Sequence, residues 1–156
     1  VTHTVPVHLS FICTGNICRS PIAAIVCREH LRRAGLAEVV TVTSAGTGPW
    51  HVGERADHRA RAVLAEHGYD STHTAAQVGA PHADADLFLA LDAGHARELA
   101  RLVDGEVRLL RSFDPVAGDD LDVPDPYYGG RADFVEVLAM VEAAMPGLLD
   151  WVRQRL

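Results

Sequence analysis

Between residues 7 and 24 the chain reads V-H-L-S-F-I-C-T-G-N-I-C-R-S-P-I-A-A, and no other stretch limits the fold so tightly. An apolar run rich in β-formers predicts a strand, residues 13–19 a loop, and Ser20 at the N-cap with Pro21 at N1 a helix start. A loop in this position turns successive backbone N–H groups inward, and the helix behind it adds partial positive charge. Together they make a nest for a tetrahedral oxyanion. The phosphate-binding candidates are therefore Thr14, Gly15, Asn16, Ile17, Cys18, Arg19 and Ser20. Arg19 adds a planar fork able to grip two oxygens at once. Cys13 faces the same pocket, where several donors and a guanidinium favour its thiolate, the nucleophilic form. Gly15 and Asn16 suit a backbone that turns to positive φ, and Ser20 is placed to donate its hydroxyl to the Cys13 sulfur. A buried strand cysteine, a surface arginine and a capped helix would account for a bare C-x5-R. The strand before it and the Ser-Pro after it favour the anion site.

At 156 residues the chain suits one domain, 1–156, with 48% hydrophobic residues to build a core. Its formal net charge of -7 argues against general affinity for nucleic acid or membranes, which use basic surfaces. Any preference for phosphate must then come from a local site. Three cysteines, at 13, 18 and 27, make no disulfide framework and fit a reducing cytoplasm. The N-terminus lacks a basic region followed by an apolar stretch of signal-peptide length, and no apolar run approaches a membrane span. Export by a signal-independent route leaves no mark on such patterns.

Along the chain, residues 21–34 read as a helix with Cys27 in its apolar face, and 39–43 as a β-branched strand running into Ser44-Ala45-Gly46. Residues 47–53 make a turn-rich loop carrying Trp50, and 56–67 a helix stopped by Gly68. Residues 73–78 suggest a short helix, 86–91 a strand, 92–102 a helix and 107–110 a fourth strand. A long acidic loop spans 112–130, a length that is usually functional or disordered. The tail is helical, with Phe134, Leu138, Val141, Met145, Leu148 and Val152 in one stripe, kinked or interrupted at Pro146. Strands alternating with helices predict an α/β domain with a parallel sheet, the first loop lying at its carboxyl edge near a switch point.

C-T-G-N-I-C-R-S-P resembles the signature of the low-molecular-weight protein tyrosine phosphatases, and S-A-G at 44–46 and D-P-Y-Y-G at 125–129 also match that family, so the likeness covers nearly the whole chain. The resemblance implies a four-stranded parallel sheet flanked by helices, and hydrolysis of phosphotyrosine through a cysteinyl-phosphate on Cys13 with no cofactor. Composition offers several carboxylates in the 112–130 loop, Asp114 and Asp122 among them; the resemblance singles out Asp125 as general acid and later base. It places Ile17, Trp50, Tyr127 and Tyr128 as cleft walls. It also places Asn16, Ser20, Ser44 and His73 in a polar network supporting the loop. Taken alone, Ser44 is a strand-end hydroxyl, His73 a surface histidine, and each aromatic a packing residue. Tyrosine-phosphorylated proteins are the implied partners, together with a tyrosine kinase acting on Tyr127 or Tyr128.

Other readings predict different residues. An arsenate reductase on this fold relays oxidation through two further cysteines, and the chain has none after Cys27. A protein arginine phosphatase typically carries Thr where Ile17 stands, and Ile17 offers no hydroxyl to a guanidinium. A silent phosphotyrosine-binding module has no need of Cys13 or Asp125. A thiol sensor needs a second thiol, which Cys18 supplies, so redox protection of Cys13 is compatible with catalysis. Metal binding is disfavoured, because no Cys/His pair has structural zinc spacing and a metal on Cys13 would quench the nucleophile.

Overall fold

The computed structural model describes residues 6–156, so the leader-free reading of the N-terminus falls partly on residues 1–5, outside those described. Among the described residues four strands, β1 (Val7–Cys13), β2 (Val40–Gly46), β3 (Leu87–Ala90) and β4 (Val107–Leu109), alternate with four α-helices. These are α1 (Arg19–Arg33), α2 (His58–Glu66), α3 (Ala93–Leu102) and α4 (Arg131–Arg153). The strands form one sheet in the order β2-β1-β3-β4, every neighbouring pair parallel. This is the flanked parallel sheet that the alternation predicts.

β1 lies inside the sheet and is covered on both faces, which is why its sequence is apolar almost throughout instead of alternating. Leu9, Phe11 and Cys13 join a large core with α1, α2 and α4, while Ile12 joins Phe88, Ala90 and Leu99 in a smaller one under α3. Each fully buried Leu or Phe is worth roughly 1.5–3 kcal/mol. The stripe Phe134, Leu138, Val141, Met145, Leu148 and Val152 is buried as its spacing predicts. Among the described residues, no helix is long and apolar enough to cross a membrane.

Topology brings the chemistry together. From β1 the chain passes through α1 to β2 on one side, then returns across the sheet to β3 on the other. That reversal opens a crevice at the carboxyl ends of β1 and β3. Leu91 donates its N–H to Ile12 O at 3.2 Å, so the segments leaving these two strands are neighbours although about eighty residues apart.

Two local expectations are corrected and a third is narrowed. α1 begins at Arg19 with Cys18 at its N-cap and no side-chain cap, so Ser20 and Pro21 are its second and third residues. Pro21 is tolerated because N–H groups of the first turn have no helical acceptor. Residues 73–78 are not helical but extended: Gly46 N–H donates to Ala76 O, Val78 N–H to Gly46 O, and Ala75 N–H to Glu54 O. Those bonds occupy the backbone groups a helix would have used. Finally, of the two outcomes expected at Pro146, interruption does not occur, because α4 is continuous through it.

Candidate active site

Cys13 ends β1, and the loop 14–18 bends around the space above it before α1 begins. Asn16 adopts φ 59°, the left-handed conformation expected of it. Gly15 is needed for a different reason than expected, because its φ is not positive; a Cβ there would come 2.8 Å from the His51 ring. Gly46 is equally confined, since a Cβ on it would meet Thr14 O at 2.6 Å. The strand end can thus press against the loop, and Thr47 and Gly48 fix it by donating N–H groups to Cys13 O (2.9 Å) and Thr14 O (3.1 Å). Among the described residues the amide N–H groups of 14–18 donate no hydrogen bond. Unsatisfied donors gathered in one loop beside a cavity suit an oxyanion.

Behind the loop, the Asn16 side chain is fully buried and fully used. Its Nδ2 donates to Ser20 Oγ (2.8 Å) and Ser44 Oγ (3.0 Å), and its Oδ1 accepts from Ala76 N–H at 2.9 Å. His73 Nε2 donates to Asn16 O at 2.7 Å, and burial holds its imidazole pKa below the ordinary value despite that bond. Ser20 Oγ accepts from Asn16 and lies 2.8 Å from Cys13 Sγ, so once the thiol is ionised its hydroxyl hydrogen is free to point at the sulfur.

Arg19 is 5% exposed, and its Nη1 donates to Asp92 Oδ2 (2.9 Å) and to Val123 O (2.8 Å). Burial alone would raise the Asp92 pKa, but the His95 N–H, the nearby imidazole and Arg19 together hold it low. Asp92 is therefore a fixed anion orienting the guanidinium. It also caps α3 by accepting from His95 N–H at 2.8 Å. An Asp opening a helix was legible as a cap; nothing in the sequence linked it to Arg19. Thr14 Oγ1 lies 2.8 Å from His95 Nε2, a second contact that sequence reasoning missed.

A cavity of about 360 Å³ opens above Cys13. Thr14 and Arg19 flank its floor, and Ile17, Trp50, Tyr127 and Tyr128 line its sides. Asp125 reaches it from the 112–130 loop, with Oδ2 3.9 Å from Arg19 Nη2 and Oδ1 accepting from Tyr127 N–H at 3.1 Å. Asp122 is engaged elsewhere, accepting from Ala93 N–H at 2.9 Å. Arg59 steadies the tyrosine side by donating to Gly129 O at 2.9 Å and lying 5.7 Å from the Tyr127 ring centroid. Tyr127 and Tyr128 meet edge to face at 5.0 Å. Trp50 is 68% exposed, a free wall and not a packing residue. Another lining residue not foreseen is His51, whose Nδ1 is 2.8 Å from Glu54 Oε2.

All three cysteines are free and buried, and burial pushes the Cys18 and Cys27 thiols up to about 12. Cys27 sits in the core as its helical position predicts. Among the described residues no group of three or more His, Cys, Asp or Glu is arranged to hold a metal ion.

Residues 8–156 match the model of the low molecular weight phosphotyrosine protein phosphatases. Over 154 residues the chain is 57% identical to low molecular weight protein-tyrosine phosphatase A of Mycobacterium bovis, covering 97% of this chain and 94% of that one. It is 58% identical over 152 residues to the low molecular weight protein-tyrosine-phosphatase of Streptomyces coelicolor, covering 93% of each. Among solved structures it resembles a protein tyrosine phosphatase from Entamoeba histolytica with a TM-score of 0.89 at 31% identity, covering 95% of this chain and 97% of that one.

Proposed function

Because the chain belongs to the low molecular weight phosphotyrosine protein phosphatase family, we propose that it hydrolyses phosphotyrosine in proteins through a cysteinyl-phosphate on Cys13. The observation carrying this reading is the position of the Cys13 sulfur. It lies 2.8 Å from the Ser20 hydroxyl, at the floor of a pocket lined by the loop with its unpaired amides and by Arg19.

The loop amides and Arg19 hold the phosphoryl oxygens, which places phosphorus in line with the thiolate. As sulfur attacks, the bond to the phenolic oxygen breaks and Asp125 delivers a proton to the departing phenolate. Asp125, now a carboxylate, then takes a proton from water as its oxygen attacks phosphorus. The sulfur leaves as thiolate, steadied by the Ser20 hydroxyl. Asn16, Ser44 and His73 hold the loop in shape for both steps, and no cofactor or metal takes part.

Apolar walls at Ile17, Trp50, Tyr127 and Tyr128 suit a flat phenyl ring. A phosphoserine is too short to bring its phosphorus to the sulfur across them, and a phosphoarginine finds no hydroxyl at Ile17. Tyr127 and Tyr128 are 41% and 91% exposed, accessible to a tyrosine kinase that would regulate the rim. Cys18 lines the same pocket, which supports its role as the thiol that intercepts oxidised Cys13. Three free cysteines favour a cytoplasmic setting, and the net charge of -7 argues against nucleic acid and membranes as partners.

The test is phosphate release from phosphotyrosine, phosphoserine and phosphoarginine peptides in excess chelator. Phosphotyrosine should be the preferred substrate, with all release lost in Cys13→Ala. Activity surviving in that variant, or abolished by chelator, would overturn the assignment. Equal turnover of phosphoserine would remove the aromatic slot, and preference for phosphoarginine the Ile17 argument.

A further inference from the structure

The first turn of α3 grips the phosphate loop at both ends. Asp92 holds Arg19, where the loop ends, and His95 Nε2 lies 2.8 Å from the hydroxyl of Thr14, next to the nucleophile. His95 is 4% exposed, and its Nδ1 lies 3.2 Å from Asp92 Oδ1 without an aligned hydrogen bond. In a neutral ring the favourable place for the proton is Nδ1, facing that carboxylate. Nε2 then accepts from the Thr14 hydroxyl. Asp92, His95 and Thr14 thus form an ordered acid–imidazole–hydroxyl chain that the phosphatase mechanism does not use.

We propose that His95 is a positioning residue that makes oxyanion binding in the Cys13 loop proton-linked: with the loop empty, Nε2 accepts from Thr14, and with an anion bound, Nε2 carries a proton and donates to Thr14 Oγ1. The proton comes from water and returns to it when the anion leaves. Thr14 only exchanges the donor role for the acceptor role. The imidazolium so formed adds a positive charge beside the loop, and the Thr14 oxygen keeps its Nε2–H paired inside the protein.

The charged groups facing His95 come from three elements: Asp92 and Glu98 at α3, Arg19 from α1, and Asp125 from the acid loop. Burial and Arg19 favour the neutral ring, whereas the three carboxylates favour the charged one. A dianion that occupies the loop and engages Arg19 removes part of the cationic opposition and adds negative charge. Both changes shift the balance towards imidazolium.

This inference rests on the reading of residues 14–19 as the phosphate site, and one NMR experiment separates the two. Imidazole signals are followed from pH 4.5 to 8.5 with and without saturating sulfate, which stays a dianion over that range; His95 is assigned from His95→Gln. Shifts of the 14–19 amides report sulfate binding itself. The expected result is a His95 midpoint raised by about half a unit or more, equivalent to sulfate binding roughly threefold tighter below the transition than above it. Thr14 is exposed, so Thr14→Val keeps the fold; it should leave Nε2 without its acceptor and abolish the shift, and Thr14→Ser should restore it. If the loop amides respond and His95 does not, or if His95 shifts equally in Thr14→Val, the linkage is refuted. If the amides themselves ignore sulfate, the phosphate-site reading falls and the linkage falls with it.

Discussion

Asn16, behind the floor of the pocket, is wholly buried with each side-chain donor and acceptor engaged. Tyr128, on the rim, is 91% exposed and meets Tyr127 edge to face. The floor is held from β1, β2, the extended 73–78 segment and the first turn of α3, so its geometry is over-determined. The rim comes from two loops whose side chains face solvent. Chemistry that needs fixed donors is placed where the structure cannot relax, and recognition of a varied partner where it can.

The sharpest way to break this contrast is at Asp125, a rim residue assigned a chemical role. Asp125→Asn should lower kcat on phosphotyrosine by about 10²–10³, and far less on aryl phosphates with good leaving groups. Folding stability should stay unchanged. If Asp122→Asn gave that leaving-group pattern instead, the acid would be misassigned. Asp122 spends its carboxylate on the Ala93 amide, so its loss should disturb the loop for all substrates alike.

Next comes the floor. Asn16→Ala removes the donor to Ser44 and Ser20 and the acceptor of the Ala76 amide, and puts at φ 59° a residue that tolerates it less well than Asn, so stability should fall by about 2–4 kcal/mol in urea unfolding. Turnover should fall with it, for every substrate. An Asn16→Ala protein with normal stability would mean that the network does not carry the loop.

How far the sequence disclosed this can be judged at single residues. Cys13, Arg19 and the helix behind them are adjacent in the chain, so their meeting at one cavity was readable from spacing. Asp92 and His95 stand about eighty residues away and touch the loop only because β3 pairs with β1, a register that local patterns do not encode. The short helix expected at 73–78 failed for the same reason. Its backbone is claimed by β2 and Asn16, a tertiary demand that overrides local preference. Ser20 was rightly linked to the sulfur and wrongly made a cap, because the helix starts one residue before it, with Cys18 at the N-cap.

A smaller effect lies in acid. Burial holds His73 below its ordinary pKa, as it does His95, His82 and His30, so as pH falls the unfolded chain takes up these protons before the folded one. Stability is therefore fully present above about pH 6.5, the ordinary histidine value, and is lost as pH falls below it. His73→Gln, which keeps a donor for Asn16 O and does not titrate, should flatten part of that loss in melting temperatures between pH 7.5 and 5. An unaltered slope would show that His73 titrates alike folded and unfolded. Smallest of all, Tyr128→Ala should raise KM for phosphotyrosine peptides a few-fold and leave stability within about 0.5 kcal/mol. A larger change in stability would place Tyr128 among the supporting residues.

Val123 has its own consequence for motion. It is fully buried, donating its N–H to Leu91 O at 2.8 Å and accepting from Arg19 at 2.8 Å, while Gly129 is held by Arg59 at 2.9 Å. Residues 124–128 are therefore a short arch between two pinned feet. Asp125 stands two residues from the first foot, a tether of at most about 7 Å. Tyr127 and Tyr128 stand near the other foot, on the side where the pin is exposed. Substitutions along the crown can then reshape what the protein accepts without carrying the proposed acid, Asp125, away from the pocket, so selectivity can drift while the proposed chemistry stays in place.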